Sequence, residues 1–230
     1  MARPNGFVIA IDGPSGAGKS TVARLLAKRI GYSQIDTGAM YRAAAWLISQ
    51  AGIAPDDGAA LTRLLKNADI RLEHTDGCHL VIANGRDVTA LIRTPEMSLL
   101  TSQTSTLAPV REALMRAQRA MGQDGGVVLE GRDIGTVVFP DAELKFYLFA
   151  SPEERGRRRH AELAAKGNNV TLAETIEDVI RRDAQDSQRD LAPLKQADDA
   201  IPIDSSNISS DEVLDRMEHY FRSLLSGTGK

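Results

Sequence analysis

What this sequence has little of narrows its possibilities first. It holds one cysteine, Cys78, so no internal disulfide can form and a reducing compartment is expected. No apolar run approaches the roughly 18 residues that a membrane helix needs. The opening Met1-Ala-Arg-Pro-Asn-Gly6 carries no signal-peptide h-region. A soluble, cytoplasmic chain with no membrane partner is therefore expected. The net charge is only −3 at pH 7, which argues against broad nucleic-acid binding and leaves room for a local basic cleft. There is no internal repeat and no low-complexity tract. His74, Cys78 and His79 are close in sequence but lack the spacing of a four-ligand zinc site, and Cys78 and His79 would face opposite sides of a strand. No metal site is expected there.

What is present is ordinary in amount: 42% apolar and 26% charged residues in 230, enough for one sizeable core or a core with an inserted subdomain. Phe7-Val-Ile-Ala-Ile11, Val127-Val-Leu129, Leu144-Lys-Phe-Tyr-Leu-Phe149 and Ala200-Ile-Pro-Ile203 read as strands, with Tyr32-Ser-Gln-Ile35 a weaker fifth. The nearly continuous apolar character of the first suits the middle of a parallel sheet, whereas Pro202 sends the last to an edge. Val22, Leu25, Leu26 and Ile30 recur at helical spacing, and Gly31 is placed to end that helix. Ser151-Pro-Glu-Glu154 and Ser209-Ser-Asp-Glu212 start two more helices, the second carrying an apolar stripe through Val213, Leu214, Met217, Tyr220, Phe221 and Leu224. Between residues 70 and 90 the pattern changes. Ile70-Arg-Leu72, Leu80-Val-Ile-Ala83 and Val88-Thr89 are separated by the turn dipeptides Asp76-Gly77 and Asn84-Gly85, which predicts a small antiparallel meander inserted in an α/β core. Trp46 is assigned to the core, and the tail Ser226–Lys230 is expected to fray.

The chemistry begins at Gly13-Pro14-Ser15-Gly16-Ala17-Gly18-Lys19-Ser20, which matches G-x-x-x-x-G-K-[ST] between a strand and a helix. The glycines permit a backbone whose N–H groups converge on phosphate oxygens, and the helix N-terminus, through Thr21, adds its positive end. Lys19 is placed to reach the β- and γ-phosphates, and the Ser20 hydroxyl to meet Mg²⁺. Glu130 closes a buried strand and is positioned to hold a water on that metal. A nucleoside triphosphate, ATP, and Mg²⁺ are thus the expected ligands. No Asn/Thr-Lys-x-Asp segment of the kind that reads guanine is present, and the chain leaves little room for the partner domain of a motor ATPase. A small-molecule kinase fits best.

The P-loop, Asp36-Thr-Gly-Ala-Met-Tyr-Arg42, Glu130-Gly-Arg-Asp-Ile-Gly-Thr136, Val138-Phe-Pro-Asp-Ala142, Arg182-Asp183 and Arg189-x-x-Ala192-Pro193-Leu194 together resemble the bacterial cytidylate kinase family over nearly the whole chain. The resemblance implies an α/β P-loop NTPase core with a five-stranded parallel sheet flanked by helices, an inserted subdomain for the nucleoside monophosphate that contains the meander, and a short helical lid. Its implied boundaries are core at 1–36, monophosphate subdomain at 37–105 with the insertion at about 62–100, core at 106–154, lid at 155–170 and core at 171–230. It implies transfer of the γ-phosphate of ATP to CMP and dCMP, in a monomer. On the acceptor side it implies Asp133 for the cytosine amino group, Arg111 for the acceptor edge and Ser102 beside them, with Arg42, Arg132 and Arg189 on the phosphate. Arg182 and Asp186 would meet the ribose hydroxyls and neighbouring phosphates, and Thr37 is counted with the CMP-binding residues. Asp36 ends a strand before Thr37-Gly38, where contact with bound nucleotide or metal-bound water is expected over a mere helix cap. Base chemistry agrees, because a carboxylate accepts from the N4 amino group of cytosine and repels O4 of uracil. Arg155, Arg158 and Arg159 share a helical face, as a lid closing on ATP phosphates would need.

Blander readings compete: a solvated basic face for the three lid arginines, a helical salt bridge for Arg182 and Asp186, and an ordinary surface helix for Arg111. Lys19, Arg132, Asp133 and Arg158 are the residues expected to carry catalysis. A kinase for UMP or AMP, or a P-loop nucleotide switch, remains an alternative function.

Overall fold

The computed structural model describes residues 3–75, 78–165 and 167–227. The expected Asp76-Gly77 turn, the side chains of His74 and Cys78, Lys166 of the lid turn and residues 228–230 of the tail lie outside the described residues. The chain divides into two compact units, Met1–Gln34 with Gly122–Lys230, and Ile35–Met121.

The first unit is built on a five-stranded parallel sheet. Its strands are β1 (Val8–Asp12), β2 (Ser33–Asp36), β6 (Val127–Gly131), β7 (Leu144–Phe149) and β8 (Ile201–Asp204), in the order β2-β6-β1-β7-β8. The register of β1 is Val8 opposite Val127 on one side and Ile9 opposite Leu144 on the other, so its apolar residues are covered throughout. Pro202 lies in β8 at the edge of the sheet, where a residue with no N–H to donate is tolerated. Helices α1 (Lys19–Ile30) and α8 (Ser210–Leu225) pack together against one face, where Val22, Leu26, Met217 and Phe221 meet Ile9, Ile11, Phe146 and Leu148. The capping box predicted at Ser209 is formed: Glu212 N–H donates to the Ser209 hydroxyl, and the Glu212 carboxylate accepts from Ser209 N–H.

After β7 the chain forms a helical hairpin, α6 (Pro152–Ala165) and α7 (Leu172–Gln188). Gly156 sets how closely these helices approach, since a Cβ there would lie 2.4 Å from Ile176 Cγ1. A second capping box at Thr171 and Glu174 starts α7; the sequence reading had not singled it out.

The second unit contains α2 (Thr37–Ala51), α3 (Gly58–Lys66), α4 (Pro95–Thr104), nearly all of α5 (Ala108–Gly122) and the sheet β3 (Ile70–Thr75), β4 (Cys78–Ala83), β5 (Arg86–Asp87). This is the predicted antiparallel meander, with one correction: its third strand is Arg86–Asp87 and not Val88-Thr89. Asn84 and Gly85 both take positive φ, 49° and 78°, so the turn is two residues long and pairing resumes at once with Ala83 opposite Arg86. Thr89 instead turns back, its hydroxyl accepting from Val81 N–H at 2.8 Å. Arg111 of α5 lies over the Tyr41 ring of α2, 5.7 Å from its centroid, within the second unit. Trp46 is half-buried, with the Arg86 guanidinium 5.4 Å above its ring.

Candidate functional site

In the first unit the candidate residues gather at the carboxyl ends of the strands, where parallel sheets with helical crossovers place their ligands. β1 delivers Gly13 to a position where no other residue fits. Its φ is 148°, and a Cβ would lie 1.9 Å from the Leu148 carbonyl oxygen. The loop beyond it leads into α1, whose first residue, Lys19, is only 6% exposed. The Lys19 ammonium donates to the Pro14 carbonyl at 2.7 Å. Burial, and then the charge of Arg132, depress its pKa to about 7 against the pull of Glu130, Asp12 and Asp186.

Ser20 donates its hydroxyl proton to Glu130 Oε2 at 2.6 Å. That contact turns the hydroxyl lone pairs away from the carboxylate, which is the orientation an Mg²⁺ would require of a serine ligand. Gln34 donates to the other carboxylate oxygen, Oε1, at 3.1 Å and so fixes the plane of Glu130. The residues present therefore fit a hard divalent cation held by the Ser20 oxygen, with Glu130 behind a bound water. Among the described residues no group of at least three His, Cys, Asp or Glu side chains could ligate a metal directly.

Asp12 organises the opposite wall. Its carboxylate, 4% exposed, accepts from Ile134 N–H at 2.8 Å and Gly135 N–H at 2.7 Å. These donors open a turn of π-helix, Ile134–Val138, in which Val138 N–H reaches the Asp133 carbonyl at 3.1 Å. π-Turns are uncommon and concentrate at functional sites. Burial raises the Asp12 pKa to about 6, although both N–H donors favour the charged form.

Beside this turn lies a charged network. Arg132 donates to Asp186 Oδ2 at 2.8 Å, while Arg189 stands 3.6 Å from Asp133 and 3.8 Å from Asp186. Burial opposes the Arg132 charge, but Asp186 and Glu130 hold it firmly protonated. Burial would likewise raise Asp186, yet Arg132, with Arg189 and Arg182, keeps it below the ordinary carboxylate range. Arg189 is steered by the bend after α7: it donates to the Ala192 carbonyl at 2.6 Å, and Ala192 adopts a left-handed φ of 50°. A non-glycine residue there costs about 1–3 kcal/mol, so the surrounding contacts hold it.

The three arginines of α6 do not share one environment. Arg155 is buried against the loop and α7, donating to the carbonyls of Ser15 and Ala150 and to Asp183. Arg158 is half-buried and grips Ser205, at 2.5 Å to its carbonyl and 3.2 Å to its hydroxyl. Arg159 pairs with Glu162 at 3.1 Å.

The remaining candidates lie in the second unit. Asp36 caps α2, accepting from Ala39 N–H at 2.9 Å. Thr37 and Arg42 lie on α2, the first buried and the second half-buried, and Ser102 is half-buried on α4. Arg111 is buried against Tyr41 and donates to the Ser105 carbonyl at 3.3 Å.

Comparison with known proteins shows the family. The family model described as Cytidylate kinase matches residues 9–223. The chain belongs to the cytidylate kinase family. It is 57% identical to the cytidylate kinase of Geobacter sp. (strain M21) over 226 residues, 98% of this chain and 97% of the relative. It is 59% identical to that of Geobacter sulfurreducens over 221 residues, 96% and 95% of the two chains, and 50% identical to that of Geobacillus sp. (strain WCH70) over 213 residues, 93% and 95%. As a member of the cytidylate kinase family the chain is a kinase, and no helix among its described residues is long and apolar enough to cross a membrane.

Sequence reasoning missed Asp12, Gln34 and Ser205 in this kinase. Asp12 left a signal, an acid ending an otherwise apolar strand beside the glycine loop. Gln34 and Ser205 left none. The partners Glu130 and Ala17 lie 96 and 188 residues away in the chain, beyond any local pattern.

Proposed function

We propose that this chain moves the γ-phosphate of ATP onto CMP, and also onto dCMP, by holding the two phosphates in line between the Lys19 loop and the arginines around Asp186. The observation that carries the proposal is the bond of Asp12 to the 134–135 turn. It ties Asp133, the residue assigned to cytosine, to the root of the phosphate loop. Membership of the cytidylate kinase family sets the UMP, AMP and switch alternatives aside.

The acceptor is a phosphate oxygen whose second ionisation has a pKa of about 6, so it is already largely deprotonated and needs no catalytic base. Catalysis then rests on position and charge. Lys19 lies against the β- and γ-phosphates, and Arg158 is added as α6 and α7 close on the nucleotide; Arg159 lies further along the same helix. Arg132 and Arg189 hold the acceptor phosphate, and Arg182 and Asp186 the sugar and its neighbours. Arg42, Ser102 and Arg111 of the second unit, with Asp36 and Thr37, are assigned to CMP. Mg²⁺, held by Ser20 and through water by Glu130, would neutralise charge on the β- and γ-oxygens when bound.

The direct test is ADP formation with ATP and Mg²⁺, offering CMP, dCMP, UMP, AMP and GMP separately. Fast turnover with CMP and dCMP and slow turnover with UMP is expected; equal turnover with another base would discard the pocket assignment. Asp133→Ala is expected to cut the CMP-over-UMP preference by roughly 10- to 100-fold, the worth of one good base contact. An undiminished preference would remove Asp133 from base recognition. Arg158→Ala is expected to lower kcat about tenfold with the KM for CMP unchanged, as loss of one charge-stabilising donor does. Unaltered kcat would make Arg158 a structural link to Ser205.

A further inference from the structure

Helix α7 carries two acids one turn apart, Asp183 and Asp186, and the structure points them at different partners. Asp186 meets Arg132 and Arg189. Asp183 meets Arg155 through two parallel bonds, Nη1 to Oδ1 at 3.0 Å and Nη2 to Oδ2 at 2.5 Å. The same guanidinium continues to the phosphate loop, where Nη1 also donates to the Ser15 carbonyl at 3.0 Å, and to the end of β7, where Nε donates to the Ala150 carbonyl at 2.8 Å. Gly16 rests on this arginine, since a Cβ there would lie 3.1 Å from Arg155 Cβ.

We infer that Asp183 is a positioning residue for the ATP side of the reaction, acting through Arg155 on the Ser15 peptide, although its neighbours on α7 serve the CMP side. The reason is peptide geometry. In a trans peptide the carbonyl and the following N–H point in opposite directions. An arginine that draws the Ser15 carbonyl outward therefore turns the Gly16 N–H the other way, into the concavity that receives phosphate. The Ser15–Gly16 plane would otherwise be easy to flip, because Gly16 has φ 78°, a conformation that glycine adopts and leaves at little cost. A guanidinium held only by carbonyls can pivot; the bidentate carboxylate fixes its plane.

A salt bridge that only joins α6 to α7 would affect stability and neither substrate in particular. The experiment compares Asp183→Asn, which keeps shape, with Arg182→Ala and Asp186→Ala. ATP affinity is measured by calorimetry without CMP, and KM for CMP by ADP formation. Asp183→Asn is expected to weaken ATP roughly tenfold, about the loss of one charge-assisted bond, and to leave KM for CMP unchanged. The two flanking variants are expected to do the reverse. Arg155→Lys, which keeps the charge but not the fork, should reproduce the Asp183→Asn effect on ATP, and the double variant should be no worse than either single one. Unchanged ATP affinity in a folded Asp183→Asn, or a rise in KM for CMP alone, overturns the inference. If Asp183→Asn does not fold, undiminished ATP affinity in Arg155→Lys overturns it equally. Only the CMP arm rests on the proposed function. Failure of the wild type to phosphorylate CMP would refute that reading and leave the ATP arm standing.

Discussion

Lys19→Ala is expected to lower kcat on the order of 10³-fold, with little change in CMP affinity or in thermal stability. In the proposed reaction Lys19 is the loop cation that follows charge from the β–γ bridge to the γ-oxygens, and a buried donor is worth far more there than in water. Its hydrogen bond in the structure is to the Pro14 carbonyl, a neutral group of the loop itself, so truncation costs that bond together with a positive charge that favours ionised Asp12. Stability should still change little. Burial already opposes the ammonium and brings its pKa to about 7, so removing it relieves a cost. The same pKa supplies a control. To meet phosphate the lysine must be protonated, so above pH 7 the wild type takes up a proton on binding ATP and its affinity falls as pH rises. The variant has no such group, and its affinity should be flatter over that range. Coupled ADP assays and ATP titrations at several pH values measure both. Normal turnover in Lys19→Ala would end the phosphate-loop mechanism.

The other large effect concerns Asp12, whose carboxyl titrates near 6 in the folded protein against an ordinary 3.8. Below pH 3.8 it is protonated both folded and unfolded and contributes nothing to the pH dependence. Between 3.8 and 6 the folded state keeps a proton that the unfolded chain has released, so stability falls as pH rises. Above 6 the whole cost of burying the charge is present, about 3 kcal/mol for a two-unit shift. Asp12→Asn carries no charge to bury but keeps one acceptor for the two N–H groups of Ile134 and Gly135. At pH 4 the variant should therefore be less stable than the wild type, by about 1–3 kcal/mol for the lost bond. By pH 7 that difference should shift in the variant's favour by about 3 kcal/mol. Urea unfolding of both proteins without nucleotide, at pH 4 and pH 7, measures the change. A difference that does not vary with pH would show that Asp12 ionises inside the fold at no cost.

Much of the architecture was legible from local pattern. Leu144–Phe149 was read as a strand with the bounds it has, because an apolar run of that length between turn residues has few other uses. The helix start at Ser209 was legible because a capping box is a contact between residues three apart. The meander was legible from Asn84-Gly85, but its third strand was misplaced, since only the φ values of those two residues decide where pairing resumes.

The arginines of α6 show where local reading ends. Arg155, Arg158 and Arg159 sit at i, i+3 and i+4, which predicts one shared face. Helical spacing gives direction and is silent about what lies in that direction. Loop, helix α7 and Ser205 arrive from distant parts of the chain, and they bury the first, half-bury the second and leave the third to a neighbour on its own helix.

By itself the sequence determined the phosphate loop, the strands of the parallel sheet, the cytidylate kinase family and the list of groups proposed to touch two phosphates and a base. Each rests on residues close together in the chain, where spacing alone constrains the backbone. Only the tertiary structure decided which of those groups stand together and which hold another group in place. The order β2-β6-β1-β7-β8 brings the ends of strands far apart in sequence to one edge. There Asp12 meets the 134–135 turn, Gln34 meets Glu130 and Asp183 reaches the loop through Arg155. Those pairings depend on distances of a few ångströms across the sheet edge, which no spacing along the chain encodes.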